Sequence, residues 1–537
     1  MNTCHLTKSQ FVVFACVTLV CAFWLDLFTA IPQRWDAVPT FDTVFFIKLA
    51  ENILKFKEFG WIGYHEPCFY PLLTAFLTIF TGDLYVSAVT ISKVSTVLLP
   101  GVVYLFARDL FSDRVGLSAA LLMLFFPHMK TISGSSQSEA LYVFLITCSA
   151  TLLWKSWKGA SAPVAVCAGI SFAAAYLTRS EGIFTMLFLI AFLVIFGRSV
   201  GHPRAAVQTT GIILITFAII CTPYIGHLSK HYGSLTIGTK TSGIYFWVRD
   251  KCFHDPDPER TEWGLSPQGE LNLISMKSQD LLAYWRRDIP RSINVYLKNF
   301  SEQIPGRIPN DGGIKHYPQI YPVYLAIPLV AGLILLYRRC ASFIPAGYLL
   351  SGFLLLFIYP LLTGGWWRYL INLLPFFLIL SAMSLDEIAT SIFHDKRSRL
   401  LLAVAVALTT VYHIWIVAWQ PVPQNVVSYQ SNKSSVAEET RKAGAWARRI
   451  LPADASYMAQ WTRLPFYLQG RWIAMPEADL DGVLYYARKN AAAYLLIESD
   501  DALTVAQLTK LGIPGVTYVG TYASQTISYY CTLLQLK

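Results

Sequence analysis

The sequence predicts an all-α polytopic membrane bundle of about eleven transmembrane helices, followed by a small C-terminal α/β extramembrane domain, and three observations carry that prediction. First, 54% of the 537 residues are hydrophobic and only 14% are charged, against roughly 25% charged in soluble domains. Such a chain cannot cover a globular surface with polar groups. Second, apolar runs of about 17 to 25 residues recur from Phe11 to Trp419, and in lipid such a run is stable only as a helix, which satisfies its own backbone. Third, beyond Trp419 the long apolar runs stop, and short β-like and helical patterns alternate instead.

Taken in order, hydropathy places the spans at Phe11–Ala30, Tyr85–Phe106, Val115–Phe126 with an extension, Glu139–Leu153, Pro163–Thr178, Gly182–Phe196, Ala206–Ile225, Gln319–Tyr337, Phe343–Leu361, Tyr369–Leu385 and Leu400–Trp419. The first run is too long for a signal-peptide core and is read as a membrane helix. Net charge is +10, but the basic residues sit in short clusters between apolar runs, not on the continuous face that nucleic-acid binding needs. Arg108 with Arg114, Lys155 with Lys158, Arg198 with Arg204, Arg338 with Arg339, and Lys396, Arg397 and Arg399 mark alternate connections. By the positive-inside rule these are cytoplasmic. The N-terminus is then cytoplasmic, and an odd number of spans puts residues 421–537 on the periplasmic or extracellular side of a plasma (inner) membrane.

The chain thus divides into a transmembrane domain, 1–420, and an outer α/β domain, 421–537. Two further outer segments, 32–83 and 227–318, are too long to be mere connectors. Thr43–Phe56 and Pro71–Phe80 read as helices lying at the membrane surface, as does the aromatic and basic mixture of Leu281–Ile304. In the last segment Ser435 and Glu438 have capping-box spacing ahead of a helix to Ile450. The runs Ser456–Gln460, Arg471–Met475, Ala492–Glu498, Val516–Thr521 and Thr526–Leu536 follow it with strand-like character. Of ten cysteines, Cys16, Cys21, Cys148, Cys167 and Cys221 lie in apolar runs as small hydrophobes; Cys68, Cys252 and Cys531 fall outside the spans and admit one disulfide, whose pairing the sequence leaves open.

Charged groups at helix ends on one side of a bundle point to a site facing a cavity there. Asp42 lies in "VPTFDTVFF" after the first span, and Glu139 in "GSSQSEALY" opens the fourth. Two carboxylates over one cavity can divide proton acceptance and positioning; equally, each acid is favoured as a cap or first-turn residue of its helix. Arg179 and Glu181 share "YLTRSEG", and Arg368 and Tyr369 share "GGWWRYLINLLP". Arginine grips phosphate bidentately, while the plainer readings are an Arg179–Glu181 ion pair and an Arg368 that snorkels to headgroups. Lys93, deeper in the second span, needs an anionic ligand or a partner such as Asp26. His65, Glu66 and Tyr70 come together in "HEPCFYPLL". With no other histidine at ligand spacing, no metal site is expected.

The order of these motifs resembles the GT-C membrane glycosyltransferases, in the branch of the protein O-mannosyltransferases and the lipid A aminoarabinose transferases. An acid after the first span, "FYPLLTAF" before the second, Ser-Glu opening the fourth, "LTRSEG" at the fifth-to-sixth turn and "RYLINLLP" opening the tenth carry the likeness. "FDTVFF" departs from the mannosyltransferase pattern in lacking an acid directly after the first one. The resemblance implies Asp42 as the catalytic carboxylate and Glu139 as a second acid. It also implies a polyprenyl- or dolichyl-phosphate sugar as donor, used as co-substrate with no other cofactor. Arg179, Arg368 and Lys93 are candidates for the donor phosphate; His65, Glu66, Tyr70, Glu181 and Tyr369 are candidates for positioning donor or acceptor. The expected partners are that lipid, membrane lipids and a glycan, lipid or protein acceptor. A multi-span secondary transporter of an envelope precursor is the alternative, although such proteins show inverted repeats and midplane charges; an envelope scaffold subunit is the third.

Overall fold

The computed structural model describes residues 7–27, 31, 33–37, 39–59, 67–159, 161–196, 203–232, 235–238, 253–254, 264–265, 269, 271–272, 285–303, 321–337, 343–362, 370–393, 396–419, 434–460, 463–499 and 515–536. They are mostly helical. The membrane part runs through α1 (Lys8–Trp24), α2 (Phe41–Glu51), α3 (Phe69–Thr81), α4 (Leu84–Leu110), α5 (Asp113–Leu124), α6 (Pro127–Ser133), α7 (Glu139–Gly159), α8 (Ala162–Thr178), α9 (Gly182–Phe196) and α10 (Pro203–Tyr232). It continues through α11 (Ile289–Gln303), α12 (Val323–Tyr337), α13 (Phe343–Gly352), α14 (Leu355–Leu362), α15 (Leu374–Ile392) and α16 (Lys396–Trp419).

Among the described residues five helices are long and apolar enough to cross a membrane, or six if a bent pair is one span. The other apolar helices are shorter, so several of the eleven expected runs are not continuous helices of spanning length. The causes are local. The first run stops at Trp24, not Ala30, because the chain turns there and Asp26 takes a left-handed conformation, φ +53°. The third is the bent pair α5 and α6, which meet at 60°: Pro127 holds Phe126 extended and ends the helix before it. The ninth divides at Phe353 and Leu354 into α13 and α14. These are the helices of a multi-pass membrane protein, with apolar side chains such as Phe23, Ile79, Ile195 and Leu408 exposed on the outside of the bundle.

α4 is the hub, packed against α1, α3, α5 and α7, and α8 lies between α7 and α10. α8 and α10 approach closely at Gly169, where a Cβ would fall 2.7 Å from Thr216 Cβ and 2.9 Å from the Ile213 carbonyl oxygen. Only a bare backbone fits that crossing.

After α17 (Ser434–Ile450), five strands form one sheet: β3 (Ser456–Ala459), β4 (Arg471–Ala474), β5 (Tyr494–Ser499), β6 (Val516–Ala523) and β7 (Tyr530–Leu536), with α18 (Leu480–Lys489) between β4 and β5. Their order is β4-β3-β5-β7-β6. β3 runs parallel to both neighbours, in register Tyr457↔Trp472 and Tyr457↔Tyr494. β7 is antiparallel to β5 and β6, with Leu495 opposite Leu534. The parallel connections need crossovers, which explains the helix between β4 and β5. A short ladder of β1 (Gly264–Leu265) and β2 (Leu271–Asn272) adds Leu265 and Leu271 to the core of this sheet.

The same core takes in α2, part of the Thr43–Phe56 stretch expected at the membrane surface. Val44, Ile47, Leu49 and Ala50 are fully buried, and so are Lys48 and Glu51 on the face that amphipathicity would leave wet. The C-terminal segment covers that face. Cys68 and Cys531 are buried free thiols in two different cores, so neither pairs with the other, and Cys252 lies outside the described residues. α11 leaves Ile289, Ile293 and Leu297 exposed at four-residue spacing, one apolar stripe of an amphipathic helix.

Candidate active site at the starts of α2 and α7

Asp42 is the second residue of α2, and Thr40 is the N-cap whose hydroxyl accepts the Thr43 amide. The cap role weighed for Asp42 therefore belongs to Thr40; Asp42 stands in the first turn, half-buried. Two side-chain hydrogen bonds join this turn to the loop before α7. Thr43 Oγ1 lies 2.9 Å from Ser136 Oγ, and Gln137 Nε2 donates to Thr40 Oγ1 at 2.8 Å. Ser136 and Gln137 are buried, and Glu139 follows them as the first residue of α7. The "SSQSE" stretch thus brings the helix starts bearing Asp42 and Glu139 together.

Glu139 is 1% exposed, and its Oε1 accepts from Arg179 Nη1 at 3.0 Å. Arg179 ends α8, and its Nη2 reaches Glu181 Oε1 at 3.3 Å. The expected Arg179–Glu181 pair exists, but it is half of a yoke in which one buried guanidinium holds two carboxylates. Tyr142, one turn after Glu139, has its ring 5.9 Å from the Arg179 guanidinium. Its hydroxyl accepts from Asn372 Nδ2 at 3.4 Å, and the same amide reaches the Tyr359 hydroxyl at 3.5 Å. Asn372 belongs to the "RYLINLLP" stretch, so that motif supports the yoke through a residue the sequence reading did not single out.

Lys93 donates to the Asp26 backbone carbonyl at 2.7 Å, while the Asp26 carboxylate lies 3.6 Å from Lys130 Nζ. The partner named from sequence is right, through its main chain. Tyr70 is fully buried, and its hydroxyl donates to the Ala88 carbonyl at 2.9 Å, tying α3 to α4. His65, Glu66, Arg368 and Tyr369 lie outside the described residues. Among the described residues no three His, Cys, Asp or Glu side chains group as a metal site.

A second buried cluster fixes α2 from behind. Glu51 meets Lys48 at 2.8 Å, Lys55 at 2.9 Å and Arg34 at 3.3 Å. Lys48 Nζ also donates to the carbonyls of Leu468 at 2.7 Å and Gly470 at 3.3 Å, and Arg34 to those of Phe466 at 2.6 Å and Leu468 at 3.1 Å. Gly470 has φ +97°, and a Cβ there would sit 2.2 Å from the Ala455 carbonyl oxygen, so glycine is required to aim this bend. Burial alone would raise the Glu51 carboxyl, but the charges of Lys48, Arg34 and Lys55 override it and hold it down at about 2. The signal was present: Lys48 and Glu51 interrupt an apolar helix at i,i+3, and buried charges need partners.

Residues 65–221 match the model of the family described as dolichyl-phosphate-mannose-protein mannosyltransferase. That range includes Glu139, Arg179 and Glu181 and begins after Asp42. No curated protein sequence matches the chain. Among solved structures it is similar to ArnT from Cupriavidus metallidurans bound to undecaprenyl phosphate, at 12% identity and a TM-score of 0.53, over 98% of each chain. It is also similar to the archaeal oligosaccharyltransferase AglB from Archaeoglobus fulgidus in complex with an inhibitory peptide and a dolichol-phosphate. There the identity is 14% and the TM-score 0.53, over 97% of this chain and 74% of that one. At such identities the likeness is one of fold. The chain is a multi-pass membrane protein with the fold of these two structures, and over residues 65–221 it is similar to the mannosyltransferase family.

Proposed function

We propose that this protein is a membrane glycosyltransferase that moves a sugar from a polyprenyl-phosphate carrier to a hydroxyl or amine of a glycan, lipid or protein acceptor at the outer membrane face. The observation that carries the reading is the hydrogen-bonded junction of Thr40 and Thr43 with Ser136 and Gln137, which joins the Asp42 and Glu139 helix starts in a GT-C fold. The lipid carriers bound in the two similar structures support the donor class. In this reading Asp42, half-buried, takes the acceptor proton as the acceptor oxygen or nitrogen bonds the anomeric carbon. The bond from that carbon to phosphate breaks, and the polyprenyl phosphate leaves with the electron pair. Phosphate is already a good leaving group, so one base suffices. Attack opposite the leaving group inverts the anomeric centre. Glu139 acts through Arg179, whose guanidinium it holds at 3.0 Å and which in this reading meets the developing negative charge.

The test is consumption of a radiolabelled polyprenyl-phosphate sugar by purified protein, with release of the free lipid phosphate. Asp42→Asn keeps the residue's size and its compatibility with the first turn. It should insert and fold as wild type yet lose transfer by roughly 10²- to 10⁴-fold, the contribution of a positioned general base. Transfer within a few-fold of wild type at equal folded protein and saturating donor excludes Asp42 as the base.

A further inference from the structure

Seven residues before Asp42, the chain makes a short 3-10 turn, Arg34–Asp36, against α17. Arg34 points inward to Glu51 and to the carbonyls of Phe466 and Leu468, so the turn is pinned. Trp35 and Asp36, on its other side, line a cleft of about 250 Å³ with Arg441, Lys442, Ala445, Arg448 and Tyr467. Arg448 also lines the smaller cavity beside it, with Leu468 and Gln469. The Arg448 guanidinium lies 4.1 Å from the centre of the Trp35 ring. Among the described residues no ion pair joins it to a carboxylate, whereas Arg441 holds Glu438 at 2.7 Å and Lys442 holds Glu439 at 2.8 Å. Asp36 is well exposed and stands 3.9 Å from Arg441.

We propose that this cleft binds an anionic saccharide, with the Arg448 fork on the phosphate or carboxylate group and Asp36 accepting hydrogen bonds from neighbouring hydroxyls. A guanidinium held over an aromatic ring loses little freedom when a planar or tetrahedral anion docks on its N–H groups. A carboxylate repels a simple anion, so Asp36 beside these cations favours an anion that brings hydroxyls for it to accept from. The volume falls just below the roughly 300–1,000 Å³ of sites for larger ligands and suits a single sugar ring. Burial lowers the Arg448 guanidinium and Arg34 and Arg449 lower it further, with Asp36 acting the other way, and a negative group in the cleft would offset the neighbouring cations. From Asp36 to Asp42 is at most roughly 20 Å of extended chain, within reach of one acceptor a few sugars long.

Use of the cleft as the acceptor subsite rests on the transferase reading; the binding itself does not. The experiment is a saturation-transfer NMR titration of the purified full-length protein in detergent with glucose 6-phosphate and with glucose, and inorganic phosphate is read by its competition against glucose 6-phosphate. Glucose 6-phosphate should bind saturably, about tenfold tighter than either of the others. Arg448→Gln should weaken it at least tenfold and Arg448→Lys less, because lysine keeps the charge and loses the fork. Asp36→Ala, at an exposed position that leaves folding intact, should narrow the preference for glucose 6-phosphate over inorganic phosphate. Absence of saturable binding overturns the proposal, as does binding unchanged in Arg448→Gln, equal affinity for inorganic phosphate, or an unaltered preference in Asp36→Ala. A protein that binds glucose 6-phosphate in this manner but consumes no lipid-linked donor sinks the transferase reading alone.

Discussion

Glu51→Gln is the sharpest probe of how the helix carrying Asp42 is held. The carboxylate faces two buried cations, Lys48 at 2.8 Å and Arg34 at 3.3 Å, with the half-exposed Lys55 at 2.9 Å. Glutamine keeps the size and one acceptor oxygen but removes the charge that balances them. Removing one partner of a buried pair costs about 3–5 kcal/mol, and the retained acceptor puts the expected loss near the lower end, about 3 kcal/mol. At 1.4 kcal/mol per tenfold, that is about a hundredfold increase in local opening. Amide hydrogen exchange at Phe466, Leu468 and Gly470 reads this directly, because their segment is what Lys48 and Arg34 grip. The pH dependence gives an independent check. The Glu51 carboxyl is held at about 2 against an ordinary value of 4.5, so the unfolded chain binds more protons between those limits. Its stabilisation is therefore complete above pH 4.5 and lost as pH falls toward 2, a drop that Glu51→Gln should flatten. Wild-type exchange rates in the variant, with an unaltered acid response, would refute the clasp.

Arg179→Ala should both destabilise the protein and lower transfer, since it leaves the buried Glu139 without its guanidinium; we expect a loss of about 3 kcal/mol or more in thermal or denaturant unfolding. A loss of donor use with unchanged stability would contradict the buried yoke. Glu139→Gln, which retains an oxygen to accept from Arg179, should cost less stability than Arg179→Ala, measured by the same unfolding. A tag placed after Lys537 should be reached by protease or antibody from outside intact cells or spheroplasts, as the basic connections require; a tag accessible only after permeabilisation reverses the topology.

Much of the membrane part could be read because its determinants are local. The apolar run of Leu84–Leu110 and the Ser-Glu start of α7 follow from burial periodicity and backbone self-satisfaction, which need no knowledge of neighbours. Where a run stops was less legible. Asp26 in the left-handed region and the break at Pro127 divide or shorten helices that hydropathy alone would continue. The candidate acids could likewise be named from motif order, but not what holds them. Ser136 and Gln137 reach Thr43 and Thr40 across some ninety residues of sequence, 93 and 97 positions apart.

By itself, then, the sequence determined that the chain lives in lipid as helices, and it named Asp42, Glu139, Arg179 and Glu181 as charged groups needing a purpose. Only the tertiary structure decided that Arg179 serves two carboxylates at once, and that α2 is buried beneath the C-terminal segment. The reason is physical. Hydropathy reports what one segment needs covered, whereas Lys48 and Glu51 became buried because the carbonyls of Leu468 and Gly470, more than 400 residues away, supply the acceptors that make that burial affordable.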